Sequence, residues 1–133
     1  MIQKFIDAWY ANKYQLQLWL ENDVDIENIT YQHIVHALFE RVINPYIENT
    51  EVPYNTNRLT VIDDGDYSGT QIYLIPKDVY EPDPWDYVVG RCFYGSCSGC
   101  DTLMYCQYLN DIDGIMTIAL HIAESMKLLW EYE

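Results

Sequence analysis

Basic residues are scarce in this chain: seven lysines and arginines face 21 aspartates and glutamates over 133 residues, a formal net charge of −14. With an isoelectric point near 4.2, the surface field repels nucleic acid and anionic membrane, so direct binding to either is excluded from the expected functions. Long apolar runs are missing too. Nothing approaches the roughly 18 consecutive apolar residues of a membrane span, and Asp7 interrupts the N-terminal segment before a signal-peptide core can form. The expectation is a soluble, cytosolic protein. Histidine is limited to His33, His36 and His121, and there is no Gly-rich phosphate loop, Gly-x-Ser-x-Gly elbow or His-Glu-x-x-His sequence. Two of the histidines fall in one amphipathic segment and the third beside an apolar stripe, the places of helix-surface or satisfied core residues rather than acid–base catalysts. A non-enzymatic role is therefore expected.

What is present suits a single folded domain: half of the residues are apolar and 21% are charged, enough to build one core despite the charge imbalance. From Ile2 to Leu20 the residues Ile2, Phe5, Ile6, Trp9, Leu16, Trp19 and Leu20 recur at helical spacing, with a gap at Lys13. An acidic connector, Glu21 to Asn28, follows. Thr30 is placed to cap a second helix that buries Ile34, Val35, Leu38, Phe39, Val42 and Ile43, and Pro45 is expected to end it. Tyr46 to Asn57 reads as a long loop.

The period then changes. Leu59–Ile62 and Thr70–Ile75 are rich in β-branched and aromatic residues, and the polar stretch Asp63 to Gly69 joins them as a hairpin. A third strand is expected from Asp86 to Tyr94. Ser98 and Asp101 have the spacing of a capping box opening a short helix through Leu109, Asp111 to Gly114 reads as a turn, and Ile115, Ile118, Ile122, Met126 and Leu129 mark a final helix. The expected architecture is α+β: two N-terminal helices, a three-stranded antiparallel sheet and two C-terminal helices, with the helices on one face of the sheet.

Two segments, Val61-Ile62-Asp63-Asp64-Gly65-Asp66-Tyr67-Ser68-Gly69-Thr70-Gln71 and Tyr94-Gly95-Ser96-Cys97-Ser98-Gly99-Cys100-Asp101-Thr102-Leu103, carry a resemblance. Together they resemble a family of small acidic proteins of tailed bacteriophages, in which an aspartate-glycine hairpin and a YGSCSGCDTL loop occur in this order before a C-terminal helix. The resemblance extends over most of the chain from Asn57 onward. It implies a phage or prophage gene expressed in the cytoplasm of a bacterial host, and it brings no activity with it.

Three groups of residues carry chemistry. Cys92, Cys97, Cys100 and Cys106 fall within 15 residues, and their spacing could supply a tetrahedral zinc site, a redox pair at Cys97 and Cys100, or ordinary buried thiols. No cofactor is expected, with zinc the ion that the thiols could hold. Asp63, Asp64 and Asp66 could gather a hard cation, but Asp-Gly is first of all turn chemistry. Residues 48 to 86 hold nine acidic residues against Arg58 and Lys77, interleaved with Tyr54, Tyr67, Tyr73, Tyr80 and Trp85. Carboxylates among exposed rings can imitate a phosphate backbone on a basic partner.

The functional expectation is thus an inhibitor of a basic host nucleic-acid-handling or defence protein, a DNA mimic or anti-CRISPR-like protein. Its partner-binding residues are expected to be Asp63, Asp64, Asp66, Tyr67, Glu81, Asp83, Trp85 and Ser98. The hairpin and the Gly-Ser loop are expected to form one surface, rather than the N-terminal helices. The alternative is a zinc-binding or thiol-redox module built on Cys97 and Cys100 with Cys92 or Cys106.

Overall fold

The computed structural model describes residues 2–65, 68–95 and 101–131. Helix α1 (Gln3–Asn22) buries Phe5, Ala8, Trp9, Leu16 and Leu20. The gap in its stripe at Lys13 has a physical use: the ammonium lies over the rings of Tyr10 and Tyr14, which are exposed on the outer side. The acidic connector is less irregular than expected, because Asp25 caps a 3-10 turn (Ile26–Asn28) that tucks Ile26 and Ile29 into the core.

Thr30 caps α2 (Tyr31–Ala37) as expected. Its hydroxyl accepts from the His33 amide, and His33 Nδ1 accepts from the Thr30 amide, both at 3.1 Å. Pro45, however, does not end the helical segment. Leu38–Ile43 form a π-helical stretch, and the chain continues through α3 (Asn44–Ile47) with Asn44 in helical geometry. The wider π turn relieves the crowding that a proline ring causes in a tight α-helix, while Leu38, Phe39, Val42 and Ile43 remain fully buried. Asn12 of α1 donates to the Val42 carbonyl at 3.0 Å and ties the widened stretch to its neighbour.

The sheet is a four-stranded antiparallel meander, β1 (Thr60–Asp63), β2 (Gly69–Pro76), β3 (Tyr87–Tyr94) and β4 (Lys127–Leu128), in that order. The first three match the expected strands to within a residue or so, and the fourth was not expected. The segment after Asp101 forms α4 (Thr102–Leu109), and α5 (Ile112–Ser125) follows. The final helix therefore stops before Leu129. Met126 turns extended, and its side chain lies where a Cβ on Gly90 would sit, 2.5 to 2.6 Å from it, so the chain leaves the helix to pair with β3.

Two local expectations change at the helix starts. Asp101, not Ser98, caps α4 through the Met104 amide, while Ser98 lies outside the described residues. Asp111 caps α5 through the Gly114 amide, so Ile112 to Gly114 are the first turn of that helix rather than a separate turn. Gly114 is needed there because a Cβ would stand 2.5 Å from Cys106 Sγ.

Strand alternation divides the sheet into two faces. Tyr73, Ile75, Val88 and Cys92 point into the core formed with α1, α2 and α5, whereas Ile62, Ile72, Leu74, Val89 and Phe93 lie outside that cluster. The helical layer thus covers one face, as the α+β reading requires. At its centre Phe5, Phe39 and Tyr54 meet edge to face at 5.4 to 5.8 Å between centroids. Burying such rings contributes about 1.5–3 kcal/mol each, which makes this cluster a main source of cohesion between α1 and the rest. No described helix is long and apolar enough to cross a membrane.

Candidate functional site

The register of the meander brings the ends of the two motif segments together, since Gly69 pairs with Tyr94 and Asp63 with Gln71. Asp63 is used up at this junction. Its carboxylate accepts from the Gly65 amide at 3.0 Å, from Gln71 Nε2 at 3.2 Å and from the Tyr94 hydroxyl, which also reaches the Gly65 carbonyl at 2.8 Å. The Tyr94 bond first, and then the Gly65 amide, hold the Asp63 carboxyl below its ordinary value. Asp64 accepts from the Thr70 amide at 2.7 Å and closes the hairpin neck. Both residues behave as turn chemistry, with their oxygens directed at the protein's own donors. Asp66 and Tyr67 lie outside the described residues.

From Asp63 a polar chain runs inward along the core-facing side of the sheet. The Tyr73 hydroxyl donates to Gln71 Oε1 at 2.7 Å and lies 3.1 Å from Cys92 Sγ. With the phenolic proton directed at Gln71, the thiol is the donor to Tyr73. Burial pushes Cys92 up to about 11 and Tyr73 above the ordinary phenol range, so at neutral pH both carry their protons. Cys106, on α4, is also pushed up by burial, and its sulfur sits against Gly114. Among the described residues no group of three or more His, Cys, Asp or Glu side chains is placed to hold a metal ion. Cys97 and Cys100 lie outside the described residues.

Sequence reasoning missed the residue at the neck of the second motif. Asp101 is 4% exposed and accepts three hydrogen bonds from described residues: from Tyr31 Oη at 2.8 Å, from the Gly95 amide at 2.8 Å and from the Met104 amide at 3.0 Å. Gly95 and Asp101, the two ends of the Gly-Ser loop, are thereby held together. Tyr31 in turn accepts from the Leu103 amide at 3.3 Å, and burial with the Asp101 bond keeps its phenol protonated. The clue to Asp101 was present as a motif aspartate before a helix, but nothing in the sequence marks Tyr31, which follows the cap of a helix 70 residues earlier. These groups line an open cleft of about 690 Å³ together with His33, His36 and Gln107. His33 Nδ1 is committed to its cap, His36 Nδ1 stands 3.8 Å from Glu40 Oε1, and His121 is exposed on α5.

The remaining expected contact residues lie at the other end of the sheet. Glu81, Asp83 and Trp85 belong to the β2–β3 connection, one strand length or about 23 Å from the hairpin neck. This connection is well braced. Asp83 caps a 3-10 turn (Pro84–Asp86) by accepting from the Trp85 amide, and the Asp86 carboxylate accepts from the Asp83 amide. Arg58 donates to the Val79 carbonyl, Asn55 to Asp78, and Trp85 lies 5.5 Å from Trp130, centroid to centroid. Glu81 is exposed, as are Trp85 at 65% and Tyr80 at 92%.

The cations do little to neutralise these acids. Lys4 and Lys77 share Glu51, at 2.7 and 3.2 Å. Burial opposes ionisation of Glu51, but the two lysine hydrogen bonds outweigh it and hold the carboxyl below its usual range. Arg41 lies over Trp19 and Lys13 over tyrosines, so these cations are spent on rings. Comparison of the chain with protein-family models, with curated proteins and with solved structures finds no match.

Proposed function

We propose that this chain is a non-enzymatic protein of phage origin, acting in the bacterial cytoplasm, that binds and inhibits a basic host protein which handles nucleic acid or serves in defence. The observation that carries the reading is the β2–β3 connection, where Asp78, Glu81, Asp83 and Asp86 alternate with the exposed rings of Tyr80 and Trp85 on a braced backbone. A braced loop loses little conformational freedom on binding, and carboxylates with few cations nearby present the charge pattern that a nucleic-acid channel attracts. The resemblance to small acidic phage proteins supports the same reading. Asp63 and Asp64 contribute to the field of the opposite end, although their oxygens are engaged in the hairpin neck.

The test uses the immobilised full chain in a bacterial lysate, with competition by duplex DNA. The expected result is retention of a nucleic-acid-handling protein at low salt, release at high salt, and displacement by DNA. A triple variant, Glu81→Gln, Asp83→Asn and Trp85→Ala, is expected to lose the partner while melting like the parent protein. If nothing is retained, or if the retained protein ignores both DNA and the triple variant, the reading fails.

A further inference from the structure

The outer edge of β3 is only half covered. The Lys77 amide donates to the Asp86 carbonyl at 2.8 Å, so in the antiparallel ladder Val88, Gly90, Cys92 and Tyr94 turn their backbone groups to β2, while Val89, Arg91 and Phe93 turn theirs away from it. On that far side β4 pairs with Val88 and Val89 and goes no further. The Arg91 amide is met by Ser125 Oγ of α5, at 3.1 Å, in place of a strand. Next along, the amide and carbonyl of Phe93 have no hydrogen-bond partner among the described residues. Between this open rung and α5 lies a cavity of about 350 Å³, lined by Ile118, His121 and Ile122 of the helix together with Tyr31, Cys92 and Thr102. Arg91 also borders it and makes no ion pair among the described residues. In a chain with 21 acidic residues, the described lining of this cavity contains none that is exposed to it as Asp or Glu.

We propose that this groove takes the C-terminal end of an extended peptide, which adds to β3 as a strand in line with β4. The Phe93 rung selects a peptide backbone, because an outward amide and carbonyl on one residue exchange two hydrogen bonds with the residue opposite in an antiparallel strand. Ser125 and the end of α5 close the edge at Arg91, so a strand running in the direction of β4 ends before it. Its last residue then stands opposite Cys92. The Cys92 side chain belongs to the core-facing side of the sheet, and strand alternation turns the last side chain of the peptide to that same side, into the cavity against Ile118 and Ile122. An aliphatic residue suits that place. Charge selects which end of the peptide arrives there: an amino terminus would bring a cation to Arg91, whereas a terminal carboxylate meets opposite charge at Arg91 and an N–H donor at His121. The groove flanks the end of β3 remote from the β2–β3 connection, so it is a site separate from the acidic surface.

Titration of the full nitrogen-15-labelled chain with the uncharged peptide N-acetyl-Gly-Ser-Val-Thr-Leu, carrying a free C-terminal carboxylate, tests this by amide resonances. The expected result is saturable shifts at Arg91 and Phe93. The same peptide ending in a carboxamide is expected to bind at least about ten-fold more weakly, and Arg91→Gln, at an exposed side chain, to weaken the carboxylate form by about five-fold with melting unchanged. Phe93→Pro removes the donor of the open rung without touching the ladder to β2, and is expected to abolish binding. No shift at millimolar peptide overturns the proposal, as does equal binding of the carboxamide or indifference to Arg91→Gln. N-acetyl-leucine binding as tightly as the pentapeptide overturns it too, since the groove would then be a small-acid site without strand addition.

Discussion

The hydroxyl of Tyr31, in the first turn of α2, donates at 2.8 Å to the carboxylate of Asp101, which caps α4 and bridges the ends of the Gly-Ser loop. One phenol therefore ties the N-terminal helical half to the second motif. Tyr31→Phe removes a donor from a buried carboxylate and an acceptor from the Leu103 amide. A loss of about 1–3 kcal/mol in urea unfolding is expected, and a change within error would show that the bond is dispensable.

The hairpin neck should titrate. Because the Asp63 carboxyl is held below its ordinary value by Tyr94 and Gly65, ionised Asp63 stabilises the folded hairpin at every pH above the unfolded carboxylate's range, and that contribution is lost as pH falls through the depressed folded value. The Gly65 amide resonance is expected to report a midpoint below that of a free aspartate. Tyr94→Phe should move the midpoint upward. A midpoint that ignores Tyr94→Phe would remove the phenol as the cause.

Tyr54 is a buried phenol whose hydroxyl has no hydrogen-bond partner among the described residues. Its ring does the packing, against Phe5 and Phe39. Tyr54→Phe is expected to be neutral or to stabilise by up to about 1 kcal/mol, because a desolvated hydroxyl without compensation is removed. Clear destabilisation in thermal unfolding would mean the hydroxyl is satisfied in solution.

Cys92 should be a slow thiol. With burial raising it to about 11, its thiolate fraction at pH 8 is about two orders of magnitude below that of an ordinary cysteine, and alkylation followed by peptide mapping should show that retardation, abolished in urea. By the same linkage, the stability tied to its neutral form is complete below the unfolded thiol's value near 8.5 and is lost as pH rises from there through about 11. Rapid labelling of Cys92 in the folded protein would contradict its contact with Tyr73.

Local signals in the sequence determined much of this protein. The stripes of α1 and α2, the cap at Thr30, the first three strands and the hairpin between β1 and β2 follow from side-chain period and turn chemistry, which act over a few residues. The acidic, aromatic composition of the β2–β3 connection was equally legible. What neighbours in space impose was not. Pro45 rides inside a helical segment because a π stretch, packed on α1 and bonded by Asn12, makes room for it. The last helix yields to a strand at Met126 because Gly90 leaves a place for that side chain and β3 still has an open edge. The same holds for the site: both motifs could be read as loops, but only pairing Gly69 with Tyr94 sets the Tyr94 hydroxyl on Asp63, and only the docking of α2 brings Tyr31 to Asp101. Such contacts join residues 30 to 70 positions apart, and no local pattern encodes them, because their free energy appears only once the core has brought the elements together.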